Sequence, residues 1–265
     1  MAFRRFLRGT VPWEQLEGVT RAVMERYDEP AARVAFLEAD NWLSTPLVVN
    51  DQWFVKIITE QNSLVHTLLT AGRNIGAFSS GTEGFFEHFG TPYEMAEHEL
   101  AATQRMREIG VNAPEPVEAF EYEGMGILVL GYIPDFETLD NLSPENVERH
   151  SPTVFDFLHR MHEDGLAHGD FRCENVLVAR NNLYFIDATS VRESAIADAR
   201  AYDLACALGA LEPLIGAHAA VSAATAYYQP PELLAAEEFL DFVNIRPDHD
   251  FEAAEIRGAV EKRAE

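Results

Sequence analysis

The string His168-Gly169-Asp170-Phe171-Arg172-Cys173-Glu174-Asn175, with Asp187 twelve residues beyond Asn175, constrains this chain more than any other feature. Val176-Leu177-Val178 and Leu183-Tyr184-Phe185-Ile186 are apolar β-type runs. Asn181-Asn182 separates them, and Asn tolerates the positive φ of a two-residue hairpin turn. Pairing outward from that turn predicts Val176 opposite Asp187. Asn175 and Asp187 then emerge at one end of the hairpin, with Asp170 on the loop just before it. Asp and Asn also cap turns, so any one of the three alone means little. The ordered string supplies what phosphoryl transfer needs: a proton acceptor in Asp170 and two hard-oxygen magnesium ligands in Asn175 and Asp187.

Phosphates also need a cation, and the apolar strand run Trp53-Phe54-Val55-Lys56-Ile57-Ile58 offers Lys56. Of the 20 basic residues only Lys56 and Lys262 are lysine. A chain that otherwise uses arginine keeps one lysine inside an apolar strand, where an unpaired charge is costly. A compact ammonium serves a phosphate oxygen and a carboxylate together, although a snorkelling edge-strand lysine reads the same way. The carboxylate is expected from the next helix. Thr91-Pro92-Tyr93-Glu94 has the pattern of an N-cap, an N1 proline and a capping-box glutamate, and Gly110 ends the segment. On a helix over 92–109, Met95, Glu99, Ala102 and Met106 share one stripe. Glu99 is thus a carboxylate on an apolar face, and the spacing predicts an ion pair with Lys56.

The string resembles the catalytic loop and metal-binding aspartate of the protein-kinase-like superfamily. Its His-Gly-Asp form is similar to that of RIO-type atypical kinases, lipopolysaccharide kinases and aminoglycoside or choline phosphotransferases. Ala188-Thr189 stand where protein kinases carry Phe-Gly after the metal-binding Asp, a departure shared with RIO-type chains. The resemblance implies an α+β, two-lobed fold with an antiparallel-sheet N-lobe and a mainly helical C-lobe. It implies Asp170 as base, Asn175 and Asp187 as Mg2+ ligands, and Lys56 held by Glu99 on the inner phosphates of ATP. Arg172, two past the base, is a candidate for holding the γ-phosphate. Leu130, Gly131, Tyr132 and Ile133 resemble the interlobe hinge whose backbone reads adenine. His168 is implied to orient the loop, and Asp203 to begin a helix that braces it. The 16 residues from Asp187 to Asp203 leave no space for a full activation segment.

The phosphate-covering loop departs from the pattern. No glycine occurs from Arg33 to Lys56, so a glycine-built backbone nest is excluded there. Asn41, Ser44 and Thr45 are the candidate donors, in a loop expected between strands at 33–37 and 47–49.

Composition narrows the function classes. No run of 18 apolar residues exists, so no membrane span is expected. The N-terminus has arginines without an apolar core or a small-residue cleavage site, which argues against a signal peptide. Cys173 and Cys206 form no motif and suit a reducing, cytoplasmic setting. The net charge of −24 disfavours direct nucleic-acid binding, which needs clustered cations. It reads either as a solubility-tuned surface like that of high-salt cytoplasm or as a field for a basic partner. His159, His162 and His168 do not make a zinc motif.

The expected organisation is an N-terminal helical extension over 1–29, an N-lobe over 30–133 with an insertion at 61–90, and a C-lobe over 134–265. Ser151-Pro152 is expected to open a helix closed by Gly165, and Pro230-Pro231 to break the helical C-terminal stretch. The 61–90 insertion carries a short helix candidate over 64–71 and the aromatic stretch Phe85-Phe86-Glu87-His88-Phe89. No added nucleic-acid-binding domain is expected before the first lobe. The function expected is ATP-dependent phosphotransfer of the RIO-like serine/threonine kinase or ATPase kind. A small-molecule phosphotransferase and a low-turnover nucleotide-binding regulator are the alternatives. The phosphoryl acceptor stays open.

Overall fold

A computed structural model describes residues 11–37, 44–61, 90–188, 196–246 and 249–264. The expectations for Asn41, for most of the 61–90 insertion and for its aromatic stretch lie outside these residues. The described chain forms two compact units. One takes the residues up to 61, those from 90 to 104 and Pro114–Pro134; the other takes Arg105–Ala113 and the residues from Asp135 onward.

In the first unit, α1 (Trp13–Arg26), β1 (Val34–Phe36), β2 (Thr45–Val49), β3 (Trp53–Ile58), α2 (Pro92–Glu108, the residues from Arg105 on belonging to the other unit), β4 (Pro116–Tyr122) and β5 (Met125–Gly131) follow in order. The strands make an antiparallel sheet in the order β1-β2-β3-β5-β4. Asn50 and Asp51 turn β2 into β3 with φ of 56° and 51°, a left-handed backbone that Asn and Asp tolerate, and Gln52 completes the connection before Trp53 pairs with Val49. Alternation then sorts the side chains. Trp53, Val55 and Ile57 join Leu47, Val49, Ile127 and Val129 on one face, where Val19 and Val23 of α1 pack. Ile58, Leu128 and Leu130 face the other way, beneath Met95 and Ala96 of α2. Lys56 sits between Phe54 and Ile58 and so points to the α2 side.

β2 begins at Thr45, earlier than the sequence pattern predicts, because β3 offers partners that far. Thr45 lies opposite Ile57 and Pro46 opposite Lys56. Pro46 is tolerated because its nitrogen faces the end of β1, where only its carbonyl is engaged, by the Leu37 amide at 3.4 Å. Ser44 and Thr45 are thus at and inside the strand rather than in a loop.

The second unit contains β6 (Glu137–Thr138), α3 (Pro144–Glu163), β7 (Val176–Ala179), β8 (Asn182–Phe185), α4 (Ile196–Ile215), α5 (Ala217–Ala224), α6 (Pro230–Asn244) and α7 (Ala253–Ala264). β6, β7 and β8 form a small antiparallel sheet. Contrary to the sequence expectation, α3 opens at Ser143-Pro144, and Ser151-Pro152 lies inside it. Both dipeptides carry the same start signal. Pro152 cannot donate to the Glu148 carbonyl four residues back. The Ser151 hydroxyl donates to that oxygen instead, at 2.9 Å, and the helix continues. Pro230-Pro231 opens α6, with a Gln229/Glu232 capping box.

The catalytic-type hairpin also turns one residue earlier than predicted. Arg180 and Asn181 are its centre, with φ of 50° and 64°, and Val176 pairs with Phe185. This register sets two fully buried apolar side chains side by side, where the predicted one would oppose Val176 to the Asp187 carboxylate. The Ile186 amide still bonds the Asn175 carbonyl at 3.1 Å, so Asp187 follows directly on the residue opposite Asn175.

Gly126 of β5 lies against the start of α2, and a Cβ there would fall on the Pro92 carbonyl oxygen. Gly126→Ala is expected to cost about 2 kcal/mol by overpacking, measured as a lowered urea midpoint with an unchanged m-value.

Candidate active site

Lys56 Nζ donates to both oxygens of Glu99, at 2.9 and 2.8 Å. The two side chains are 6% and 13% exposed. Thr103 Oγ1 donates to the Glu99 carbonyl at 2.7 Å, tying the glutamate's own turn. Water is largely excluded, so breaking the pair by removing either member is expected to cost about 3–5 kcal/mol.

The loop of residues 168–175 hangs from one buried carboxylate. Asp203 is fully buried and lies inside α4, two turns after its first residue, not at its start as expected. Its Oδ2 accepts from the His168 amide at 2.6 Å and its Oδ1 from the Gly169 amide at 2.8 Å. His162 Nε2 lies 3.2 Å from Oδ2, and the Tyr228 hydroxyl meets His162 Nδ1 at 2.8 Å. Both ring nitrogens of His162 are thus engaged within the second unit. Gly169 has φ +78°, where a side chain would be strained, and this explains its place in the string.

The His168 ring is fully buried, edge-on to Phe171 and Phe185 at 5.6 and 5.5 Å. Neither ring nitrogen has a hydrogen-bond partner, and burial lowers the ring's pKa, against a smaller opposing pull from Asp203, Asp170 and Asp187. His168 therefore acts on the loop as a neutral packing plug and through its backbone amide.

Asp170 is 9% exposed. Arg246 Nη2 donates to its Oδ1 at 2.8 Å, and Arg172 Nη2 stands 3.4 Å from its Oδ2. Arg172 also reaches Glu174 at 3.1 Å. Asn175 Nδ2 donates to the Asp170 carbonyl at 2.9 Å. That bond spends the amide nitrogen and leaves the side-chain oxygen as the available donor atom. Asp187 follows with φ 60°, a strained conformation of the kind found at functional sites. An amide oxygen and a carboxylate, both hard, suit Mg2+.

Residues 89–201 match the family model of the RIO domain. An aminoglycoside-3'-phosphotransferase of type VIII is similar in structure, with a TM-score of 0.52 at 16% identity; the alignment covers 85% of this chain and 97% of that one. Over residues 89–201 the chain is similar to the RIO domain, and its fold is that of the phosphotransferase. At such identity the structural likeness is one of fold. Weaker likenesses reach a chain of the Neurospora crassa PAN2–PAN3 pseudokinase complex, with TM-score 0.44, 12% identity, and 96% and 69% of the two chains covered. The PK-1 kinase of Cydia pomonella granulovirus follows, with TM-score 0.37, 15% identity, and 66% and 56% covered. No curated protein matches the sequence. Among the described residues no helix is long and apolar enough to cross a membrane.

The RIO match takes in Glu99, Asp170, Arg172, Asn175 and Asp187, while Lys56 precedes it and Arg246 follows it. Arg246 is the residue that sequence reasoning missed. It contacts Asp170 across 76 positions, and no local pattern marks it. The hinge-like stretch is partly committed to the fold: the Gly131 amide donates to the Glu115 carbonyl at 2.7 Å and the Tyr132 amide to the Gln52 carbonyl at 2.8 Å. Ser44 is 2% exposed, and among the described residues its hydroxyl has no hydrogen-bond partner. Cys173 is buried, its thiol pushed up chiefly by desolvation, which makes it an unreactive bystander.

Asp203→Ala would orphan two buried amides, and the expected loss is about 3 kcal/mol in chemical unfolding. The unfolded chain binds a proton at His168 near the ordinary value of 6.5, whereas the buried ring resists it. Its contribution to stability is thus full above that pH and falls as the pH drops below it. His168→Leu is expected to flatten the acid side of the melting-temperature profile.

Proposed function

We propose that this chain transfers the γ-phosphoryl group of ATP, as a RIO-like atypical serine/threonine kinase or ATPase. The observation carrying this reading is the loop hung on Asp203, with Asp170 buried beside Asn175 and Asp187 one residue past the strand position opposite Asn175. Asp170 would accept the proton of the attacking hydroxyl. Asn175 and Asp187 would hold Mg2+, which neutralises charge on the phosphates when bound. Lys56, oriented by Glu99, would steady the inner phosphates, and Arg172 would meet the transferred group.

For adenine, Leu130, Gly131, Tyr132 and Ile133 are the proposed readers. The Gly131 and Tyr132 amides are already given to Glu115 and Gln52, so the donor role falls to the Ile133 amide. The buried Ser44 hydroxyl, without a hydrogen-bond partner among the described residues, is available to a phosphate oxygen, and Thr45, paired within β2, would act through its neighbour's placement.

The test is Mg-ATP turnover by the wild type beside Asp170→Ala and Asp187→Ala, in molar salt and in ordinary buffer. Each variant is expected to lose at least about 100-fold in kcat, while Lys56→Met raises the KM for ATP. Undiminished turnover in both aspartate variants would sink the reading. Phosphorylation of an aminoglycoside or sugar alcohol, rather than of protein, would move the chain to the small-molecule class. Thermal stabilisation by ATP without turnover would make it a nucleotide-binding regulator.

A further inference from the structure

We propose that Arg246, outside the RIO match, is a positioning residue that fixes the orientation of the Asp170 carboxylate. The inference rests on the reading of Asp170 as the proton acceptor. Its guanidinium serves two directions at once. Nη2 takes Asp170 Oδ1 at 2.8 Å, while Nη1 donates to the Tyr202 hydroxyl at 2.5 Å and lies 3.8 Å from Cys206 Sγ. A planar fork can bridge a carboxylate and a phenol in this way, whereas a lysine ammonium would serve one of them well. The side chain is 9% exposed, so the contact is a desolvated one rather than a surface ion pair.

The stretch that delivers Arg246 is fastened to α4 beyond the guanidinium. The Phe251 ring packs on Gly209, where a Cβ would collide with it. The Phe251 amide donates to Asn244 Oδ1 and the Glu252 amide to Glu212 Oε2, each at 3.2 Å. Tyr202 is itself set edge-on to Phe239 of α6, with ring centroids 6.2 Å apart. Arg246 is therefore held from α4 and α6 together and presented to Asp170 in one place. Of the two guanidiniums near that carboxylate it makes the shorter bond, 2.8 against 3.4 Å for Arg172. Phosphoryl transfer through a loose transition state depends more on where groups are held than on base strength. The residue that sets the torsion of Asp170 should therefore set kcat.

The experiment measures kcat and KM for Mg-ATP in Arg246→Ala and Arg246→Lys. Asp170→Ala is run alongside, with Arg257→Ala, which breaks the outlying pair with Asp241, as the control. Arg246→Ala is expected to lose about 100-fold in kcat with the KM for ATP nearly unchanged. Arg246→Lys should recover part of that loss, and Arg257→Ala should match the wild type. Melting of Asp170→Asn, Arg246→Met and the double variant gives a readout independent of turnover. The double variant should lose less than the sum of the singles. An unchanged or raised kcat in Arg246→Ala overturns the inference, as do strictly additive melting shifts. Asp170→Ala inactive beside an unaffected Arg246→Ala defeats this inference alone. An active Asp170→Ala, or a wild type without turnover, defeats the phosphotransfer reading and this inference with it.

Discussion

A carboxylate with no exposure to water must be satisfied from every side, and Asp203 achieves this by accepting the amides of His168 and Gly169 while facing the His162 ring. Each of those bonds is charge-assisted and shielded, which makes the loop costly to move. The positive φ of Gly169 follows from the need to aim two successive amides at one acceptor. From that fixed point the chain runs into Asp170 and, through the Asn175 side chain on the Asp170 carbonyl, into the β7–β8 hairpin. Asp203 is thus the anchor of the loop even though no role in the chemistry is assigned to it.

The first unit reaches a comparable result with different means. Strand alternation sends Lys56 to the face covered by α2, and the helical stripe of Met95, Glu99, Ala102 and Met106 brings one carboxylate to it. Period two and period 3.6 meet at a single ion pair. The apolar neighbours, Leu128 and Leu130 among them, make the pair costly to break.

Most of the frame was legible because it is written in local periodicity. The capping box at Thr91–Glu94 and the strand at 53–58 follow from spacing, and the Lys56–Glu99 pair from spacing read beside the resemblance; the structure shows each of them. The misreadings arose where two local signals were equivalent or where the decisive contact was distant. Ser143-Pro144 and Ser151-Pro152 are the same start signal, and only the Ser151 hydroxyl bond to Glu148 lets the helix pass through the second. Asn181-Asn182 is as good a turn as Arg180-Asn181, until burial of Val176 beside Phe185 decides between them. Arg246 has no sequence signature, because its meaning comes wholly from the packing of α4 and α6.

The pairing of Lys56 has one further consequence, for chemical labelling. With lysine at two positions in the chain, side-chain amines divide cleanly into one locked between a strand and a helix and one, Lys262, exposed near the C-terminus. Acylating reagents thus meet a single ready lysine in the folded protein. The second becomes reactive only as the sheet parts from α2. The arginine-rich composition therefore leaves a reporter of the first unit's integrity built into the chain, readable as the order in which two peptides gain mass.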